Sequence, residues 1–283
     1  MFRRILISLV LFLEVCTVAS QAGDAKNYRL VARETNIGFG ALSLTDPYLS
    51  PLSYSGFSLC SDYLARSYVS VTNPNLSSQL QFDGSLGLLS NPTGTASMLY
   101  AGMQLGWGLN YHFRFSNHFQ LLAGGLVDGQ FGLKWLSRNV NNPVNMDIAA
   151  NLNAIAEARY DFSLLKQQFR LSLQLQSPVV GGMFVPLLGA SYYEMFGLGN
   201  MKHAVHFSSL HNKMALNSNL NLQIPLRKLT VMVGVATDSR LYKANDLVYR
   251  HHASYLSIGL KANVYQFGGS RNEAPSQFLS TDK

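Results

Sequence analysis

Residues 99–115 read LYAGMQLGWGLNYHFRF, with Leu99, Ala101, Met103, Leu105, Trp107, Leu109, Tyr111, Phe113 and Phe115 on one parity. Between them fall Tyr100, Gly102, Gln104, Gly106, Gly108, Asn110, His112 and Arg114. Successive side chains of a strand point to opposite faces, so this segment is predicted to be a strand with one greasy face and one polar, small-residue face. Its length is about three times the usual 5 to 6 residues of a strand in a soluble protein.

The same pattern recurs along the chain. In 119–135 the charged and amide residues Gln120, Asp128, Gln130 and Lys134 all oppose Phe119, Leu121, Val127, Phe131, Leu133 and Trp135. In 145–162, Asp147, Asn151, Asn153, Glu157, Arg159 and Asp161 oppose Met146, Ile148, Leu152, Tyr160, Phe162 and a run of alanines. Weaker copies follow at 167–176, 214–224 and 256–264. A soluble sandwich or lipocalin-like barrel would have shorter strands and carry its charge outside. Long strands that keep charge on one face and hydrocarbon on the other predict lipid outside and a polar lumen inside.

This predicts an all-β fold: a closed, transmembrane antiparallel β-barrel of about ten strands, within a range of 8 to 12, its lumen largely filled. The expected strands are about 35–44, 55–68, 76–90, 96–115, 118–137, 145–162, 167–178, 205–224, 229–238 and 253–267. Short periplasmic turns are expected at 69–75, 116–118, 163–166 and 225–228, and outer loops at 45–54, 91–95, 138–144, 179–204 and 239–252. Aromatic residues on the apolar parity flank two short turns: Tyr111, Phe113, Phe115 and Phe119 at one, Tyr160, Phe162 and Phe169 at the other. They read as an interfacial girdle.

Composition agrees with a chain that meets lipid. Charged residues are 13% against a usual share of about 25%, and 47% are hydrophobic. Residues 1–22 read as a secretory signal, with Arg3 and Arg4 before an apolar run and small residues at Ser20 and Ala22. Beyond it no apolar stretch reaches the roughly 18 residues of a spanning helix; a closed barrel is the other structure that satisfies its backbone within a bilayer. Residues 23–34 are then an N-terminal periplasmic segment, 35–267 the barrel, and 268–283 a polar C-terminal tail. Loss of Cys16 with the signal leaves Cys60 alone, so no intrachain disulfide is expected.

The stretches DPYLSPLSYSG (46–56), FQLLAGGLVD (119–128), SYYEMFGLGN (191–200) and SSLHN (208–212) resemble an uncharacterised family of outer-membrane β-barrel proteins from Bacteroides-type bacteria, a domain of unknown function. The resemblance spans roughly 35–267. It implies fold and location in the Gram-negative outer membrane, and it carries no catalytic residues. The tail after Phe267 is a departure from it.

Candidate chemistry is sparse. Lumen charges Asp128, Lys134, Asp147, Glu157, Arg159, Arg170 and Lys261 are of both signs and are expected to pair and fill a narrow interior. His206 and Ser208, two apart on a strand, share a face, the geometry of a base and a hydroxyl nucleophile. The triplet is similar to the His-x-Ser arrangement of outer-membrane phospholipases and lipid A deacylases, with Glu194 or Asn212 as the third member. Histidines 203, 206, 211, 251 and 252, with Lys202, Lys213, Arg240, Lys243 and Arg250, gather near two outer loops. Their spacing is diagnostic of no metal site, and they read as a basic rim that meets glycolipid phosphate, in keeping with a net charge of +7.

The loop VVGGMFVPLLGASYYEMFGLGN (179–200) is rich in apolar and aromatic groups for an exposed segment. Tyr192, Tyr193, Glu194, Met195 and Phe196, with Asp46, Tyr48 and Tyr54 of the first outer loop, are the candidate binding residues. The expected function is a non-enzymatic envelope or surface component whose outer loops bind glycolipid or a protein partner. Lipid hydrolysis through His206 and Ser208 is the alternative, and a narrow solute channel a further one. No cofactor and no nucleic-acid partner is expected.

Overall fold

The computed structural model describes residues 30–70, 74–139, 142–199, 203–226, 229–265 and 280–281. The predicted signal segment and most of the tail lie outside them. The strands are β1 Leu30–Asp46, β2 Ser50–Tyr68, β3 Leu76–Ser90, β4 Ser97–Arg114, β5 Phe119–Leu136, β6 Val144–Leu164, β7 Gln167–Phe184, β8 Val205–Ser209, β9 Lys213–Pro225, β10 Thr230–Ala244 and β11 Leu247–Tyr265. Neighbours pair antiparallel, β1 pairs with β11, and β7 pairs with both β6 and β9, so the sheet closes. The closed ring has ten strands, because β8 and β9 are one wall position interrupted at 210–212.

The register sets the barrel's girth. A walk from Leu173 through Leu220, Val235, Leu256, Phe39, Leu59, Leu86, Ala101 and Leu133 ends at Met146, twelve residues short of Ala158, the direct partner of Leu173. That stagger over ten strands corresponds to a tilt of about 40°, in the usual range for closed barrels.

Parity decides which side chains meet lipid. Ile37, Phe39, Leu86, Leu105, Trp107, Val127, Leu173, Val233 and Leu256 are exposed on the outer surface, whereas Gln104, Asp128, Asn151, Glu157, Arg159 and Gln176 are buried inside. Ring pairs Tyr111–Phe113, Phe115–Phe119 and Phe162–Phe169 line the rim where both described chain ends lie, called the terminal end below. Toward the opposite rim the outward parity turns polar in one continuous row: Ser55 pairs with Ser43, Ser43 with His252, and His252 with Ser239. Hydrocarbon stops at that row, and the strands continue beyond it.

Several strand limits differ from the sequence-based expectation. β1 begins at Leu30 rather than 35, which places Glu34 in the wall. The supposed loop 45–54 is a turn at 47–49, closed by the Leu49 amide on the Asp46 carbonyl and by the Tyr48 amide on Asp46 Oδ1. An aspartate before such a turn supplies the side-chain acceptor that fixes it. The supposed loop 239–252 is the paired outer halves of β10 and β11, joined at Asn245 and Asp246 with φ of 51° and 60°. Two consecutive left-handed residues make the tight hairpin turn that matches strand twist, and Asn and Asp tolerate it. In β7, Pro178 sits at a register shift, where its missing N–H is tolerated. Beyond the shift, β7 pairs with β8 in place of β9.

Candidate functional site: a closed mouth and its aromatic shelf

The described part of the long connection between β7 and β8, 185–199 and 203–204, lies at the end opposite the described chain ends, called the loop end, and it folds over the barrel mouth. The β1–β2 turn delivers Asp46, which is fully buried. Its Oδ2 accepts from Lys134 Nζ at 2.9 Å and from Asn145 Nδ2 at 2.7 Å. Lys134 also donates to Asp147 Oδ1 at 2.7 Å and lies 5.5 Å from the centre of the Tyr249 ring. Tyr242 donates to the same Asp147 oxygen at 2.9 Å and stacks on Tyr249. One ammonium between two carboxylates, with an aromatic face beneath it, satisfies a charge that burial would otherwise penalise heavily.

Tyr192 fastens the long loop to this floor. Its hydroxyl donates to Asn145 Oδ1 and accepts from the Met146 amide, both at 2.7 Å. Tyr48 meets the Tyr192 ring edge-on and donates to the Ala190 carbonyl at 2.7 Å. Burial, the largest cause for both, pushes the Tyr48 and Tyr192 phenols above their ordinary range. They therefore stay neutral and can donate. Asn245 of the β10–β11 turn donates to the Val185 and His203 carbonyls, pinning both ends of the loop.

Within the loop, Tyr193–Gly197 forms a single π-helical turn. Glu194 Oε2 accepts from the Ser191 amide while Ser191 Oγ accepts from the Glu194 amide, the reciprocal pairing of a capping box. Met195 points inward with Phe184 and Ala204, and Phe196 stacks on Tyr192. Tyr193 is left 72% exposed, and Leu188, Phe196 and Leu198 are more than half exposed. These four are the outward apolar groups of the loop, called the shelf below, above the buried Met195. A groove separates the shelf side of Tyr192, Tyr193 and Phe196 from Pro143, Val144 and Met146.

The predicted binding residues therefore divide. Asp46, Tyr48, Tyr54 and Met195 are buried parts of the closure and offer no free surface. Tyr192 is the fastener, Glu194 is exposed but engaged in its cap, and Tyr193 and Phe196 face outward. The proposed basic rim also divides: Lys213 and His251 are buried inside, Arg240 is half-buried and paired with Asp238, whereas His203, His211, Lys243, Arg250 and His252 are exposed, and Lys202 lies outside the described residues.

The lumen below the mouth is filled in layers. Asp128 accepts from Gln104, Asn151 and Asn153. Lys213 donates to Asn151 Oδ1 at 2.9 Å. Arg240 grips Asp238 through two bonds, with His251 Nε2 3.4 Å from the same carboxylate. Nearer the terminal end, Glu157 bridges Arg66 and Arg159 at 2.7 and 2.6 Å, Lys261 meets Glu34 at 3.0 Å, and Arg170 pairs with Asp161. Glu34, Arg66, Asp46, Lys213 and Asp238 were missed as lumen charges by sequence reasoning. Glycine makes room for this amide lattice: a Cβ at Gly234 or Gly259 would lie 2.1 or 2.0 Å from the Oδ1 of Asn221 or Asn36. A cavity of about 130 Å³ remains at mid-height, walled in part by Asp62, Asp83, Gln174 and Asn219.

His206 and Ser208 do share the inward parity of β8, but no hydrogen bond joins them. His206 Nε2 is buried without a partner. Glu194 is engaged in its cap, and Asn212 shapes the β8–β9 turn through the Ser209 amide and the Phe207 carbonyl. The structure thus does not assemble the sequence-predicted triad. Among the described residues no cluster of three or more His, Cys, Asp or Glu side chains has metal-binding geometry.

A closed antiparallel ring, an apolar outer belt and a charge-paired interior define a transmembrane β-barrel with a filled lumen and a capped mouth. The chain belongs to the family described as "Protein of unknown function (DUF3316)", whose sequence model matches residues 5–271. No curated protein matches it. Among solved structures it is similar to the outer membrane protease OmpT from Escherichia coli, at 8% identity over 83% of this chain and 97% of that one, with a TM-score of 0.50. The transport unit of the autotransporter AIDA-I from Escherichia coli matches at 8% identity over 89% and 94%, TM-score 0.44. The translocator domain of the autotransporter NalP from Neisseria meningitidis matches at 9% over 94% and 96%, TM-score 0.39. The first of these likenesses supports the barrel fold and nothing about activity.

Proposed function

We propose that the protein is an integral outer-membrane component with its loop end at the cell surface, and that the shelf on its closed mouth binds the glycolipid of the outer leaflet. The observation that carries this reading is the shelf itself. Leu188, Tyr193, Phe196 and Leu198 stay exposed while Met195 and Tyr192 of the same loop are packed inward, and exposed apolar groups of this size mark a contact surface. Where the same connection rejoins the wall, Val205 and Phe207 of β8 are two-thirds exposed and add apolar surface at the loop end. The exposed Lys243 and Arg250 lie above the polar row that ends the belt, where they meet headgroup phosphate. The reading of residues 1–22 as a secretory signal and the placing of the long connection, 185–204, at the loop end support this orientation.

The test is binding of the purified barrel to vesicles with and without lipopolysaccharide, wild type against Tyr193→Ala with Phe196→Ala. The reading expects glycolipid-dependent binding that the double variant loses at least tenfold. Equal binding to plain phospholipid, or an unaffected double variant, overturns it, and crosslinked capture of an envelope protein by the wild type alone assigns the shelf to a protein partner instead.

A further inference from the structure

The described residues nearest the C-terminus, Ser280 and Thr281, lie inside the barrel. Thr281 is fully buried, and its carbonyl accepts from Arg159 Nη1 at 2.8 Å. Arg159 is aimed by Glu157, which takes its Nε at 2.6 Å and is itself held by Arg66 at 2.7 Å. The hydroxyl of Ser280 lies 3.4 Å from Asn263 Oδ1 on the inward parity of β11. Contacts from two strands thus hold one short stretch of backbone, and the guanidinium that makes the main one is buried and held in place by its own ion pair. A planar, pre-oriented guanidinium suits a peptide carbonyl, because little further ordering is needed when the bond forms.

Chain length allows the return. β11 ends at Tyr265, and residues 266–279 separate it from Ser280. Fourteen residues span up to about 45 Å when extended. We infer that the lumen at the terminal end of the barrel is a peptide-docking site, and that its occupant is the chain's own C-terminal stretch at Ser280 and Thr281, seated on Arg159. Ser280 and Thr281 then occupy the lumen at the end opposite the Asp46–Lys134–Asp147 closure. The polar tail that departs from the family resemblance thereby acquires a structural task, independent of whatever binds the shelf.

Accessibility tests this in the full chain with its two cysteines, Cys16 and Cys60, replaced by Ser. Thr281→Cys is labelled with a PEG-maleimide in the folded, heat-modifiable barrel and compared with Ser116→Cys in an exposed turn at the same end. The docked stretch predicts labelling at 281 at least tenfold slower than at 116, and faster by tenfold or more when Arg159→Gln is added. A difference below tenfold in either comparison overturns the inference. The pair Ser280→Cys and Asn263→Cys should also oxidise to an intrachain disulfide in the folded protein, whereas Ser280→Cys with Ser116→Cys should not. Equal yields of the two disulfides would equally overturn it.

Discussion

Replacing Asp46 by Ala removes the keystone of the loop-end closure, and the structure sets the size of the effect. Three bonds vanish: those from Lys134 Nζ, from Asn145 Nδ2 and from the Tyr48 amide. Stripping a buried cation of all its partners typically costs about 3 to 5 kcal/mol. Here Lys134 keeps Asp147, so the loss is that of one charge-assisted bond, about 1.5 to 3 kcal/mol, plus the lesser cost of an amide and a backbone N–H left buried. We expect about 2 to 4 kcal/mol, which near its midpoint is a change of roughly 150-fold in the unfolding constant. Asp46→Asn retains an acceptor and the shape and should lose less than half as much. Lys134→Met abandons two carboxylates and should lose more. Urea unfolding of the barrel in micelles, followed by the fluorescence of Trp107 and Trp135, the only tryptophans, reads all three. A loss below about 0.5 kcal/mol for Asp46→Ala, equal to that of the exposed Lys243→Ala, would refute the closure as an energetic unit.

Other outcomes follow from the same geometry. Tyr192→Phe loses a hydroxyl that both donates and accepts, and should destabilise by about 1 to 2 kcal/mol in the same unfolding assay. Tyr193→Ala removes an exposed ring and should leave the midpoint within about 0.5 kcal/mol of wild type. In planar bilayers, the wild type should show no stepwise conductance at neutral pH, because paired charges occupy the lumen; regular single-channel steps would contradict a filled interior. Incubated with phospholipid or lipid A, His206→Ala and Ser208→Ala should release no less acyl chain than wild type, and a Ser208-dependent release would revive the hydrolase alternative.

Parity carried the architecture because lipid reads it at every outward position: one charged residue among Leu99 to Phe115 on the apolar side would have spoiled the belt. The same logic explains where strand limits were illegible. Beyond the row Ser55, Ser43, His252 and Ser239 the outer surface is wet while the inward side turns apolar, with Leu44, Tyr54, Leu247 and Tyr249 buried, so the lipid-facing alternation is lost although the strands run on. Thus 239–252 read as loop, and Arg240 and His251 were taken for rim residues when they are inward-facing parts of strands. The adjacent Asn245 and Asp246 were a usable hairpin signal. Lumen charges within the belt, such as Asp128, Glu157 and Lys261, were readable by parity alone. Asp46 and Glu34 lay in segments assigned to a loop and a leader, so their inward positions were hidden. The seating of Thr281 had no signal at all, since a tail that binds through one backbone carbonyl leaves no pattern in its side chains.

The central claim, hydrocarbon outside and polar groups inside, is tested most directly at two adjacent residues. Leu173 faces out at mid-belt, and Gln174 faces the central cavity beside it. Unfolding in lipid vesicles should show Leu173→Arg destabilised by about 2 to 4 kcal/mol, the cost of a cation at the bilayer midplane. Gln174→Arg, received among Asp62, Asp83 and Asp238, should lose less than about 1 kcal/mol. Equal losses at the two positions, or a greater loss at Gln174, would contradict the barrel's assignment of inside and outside.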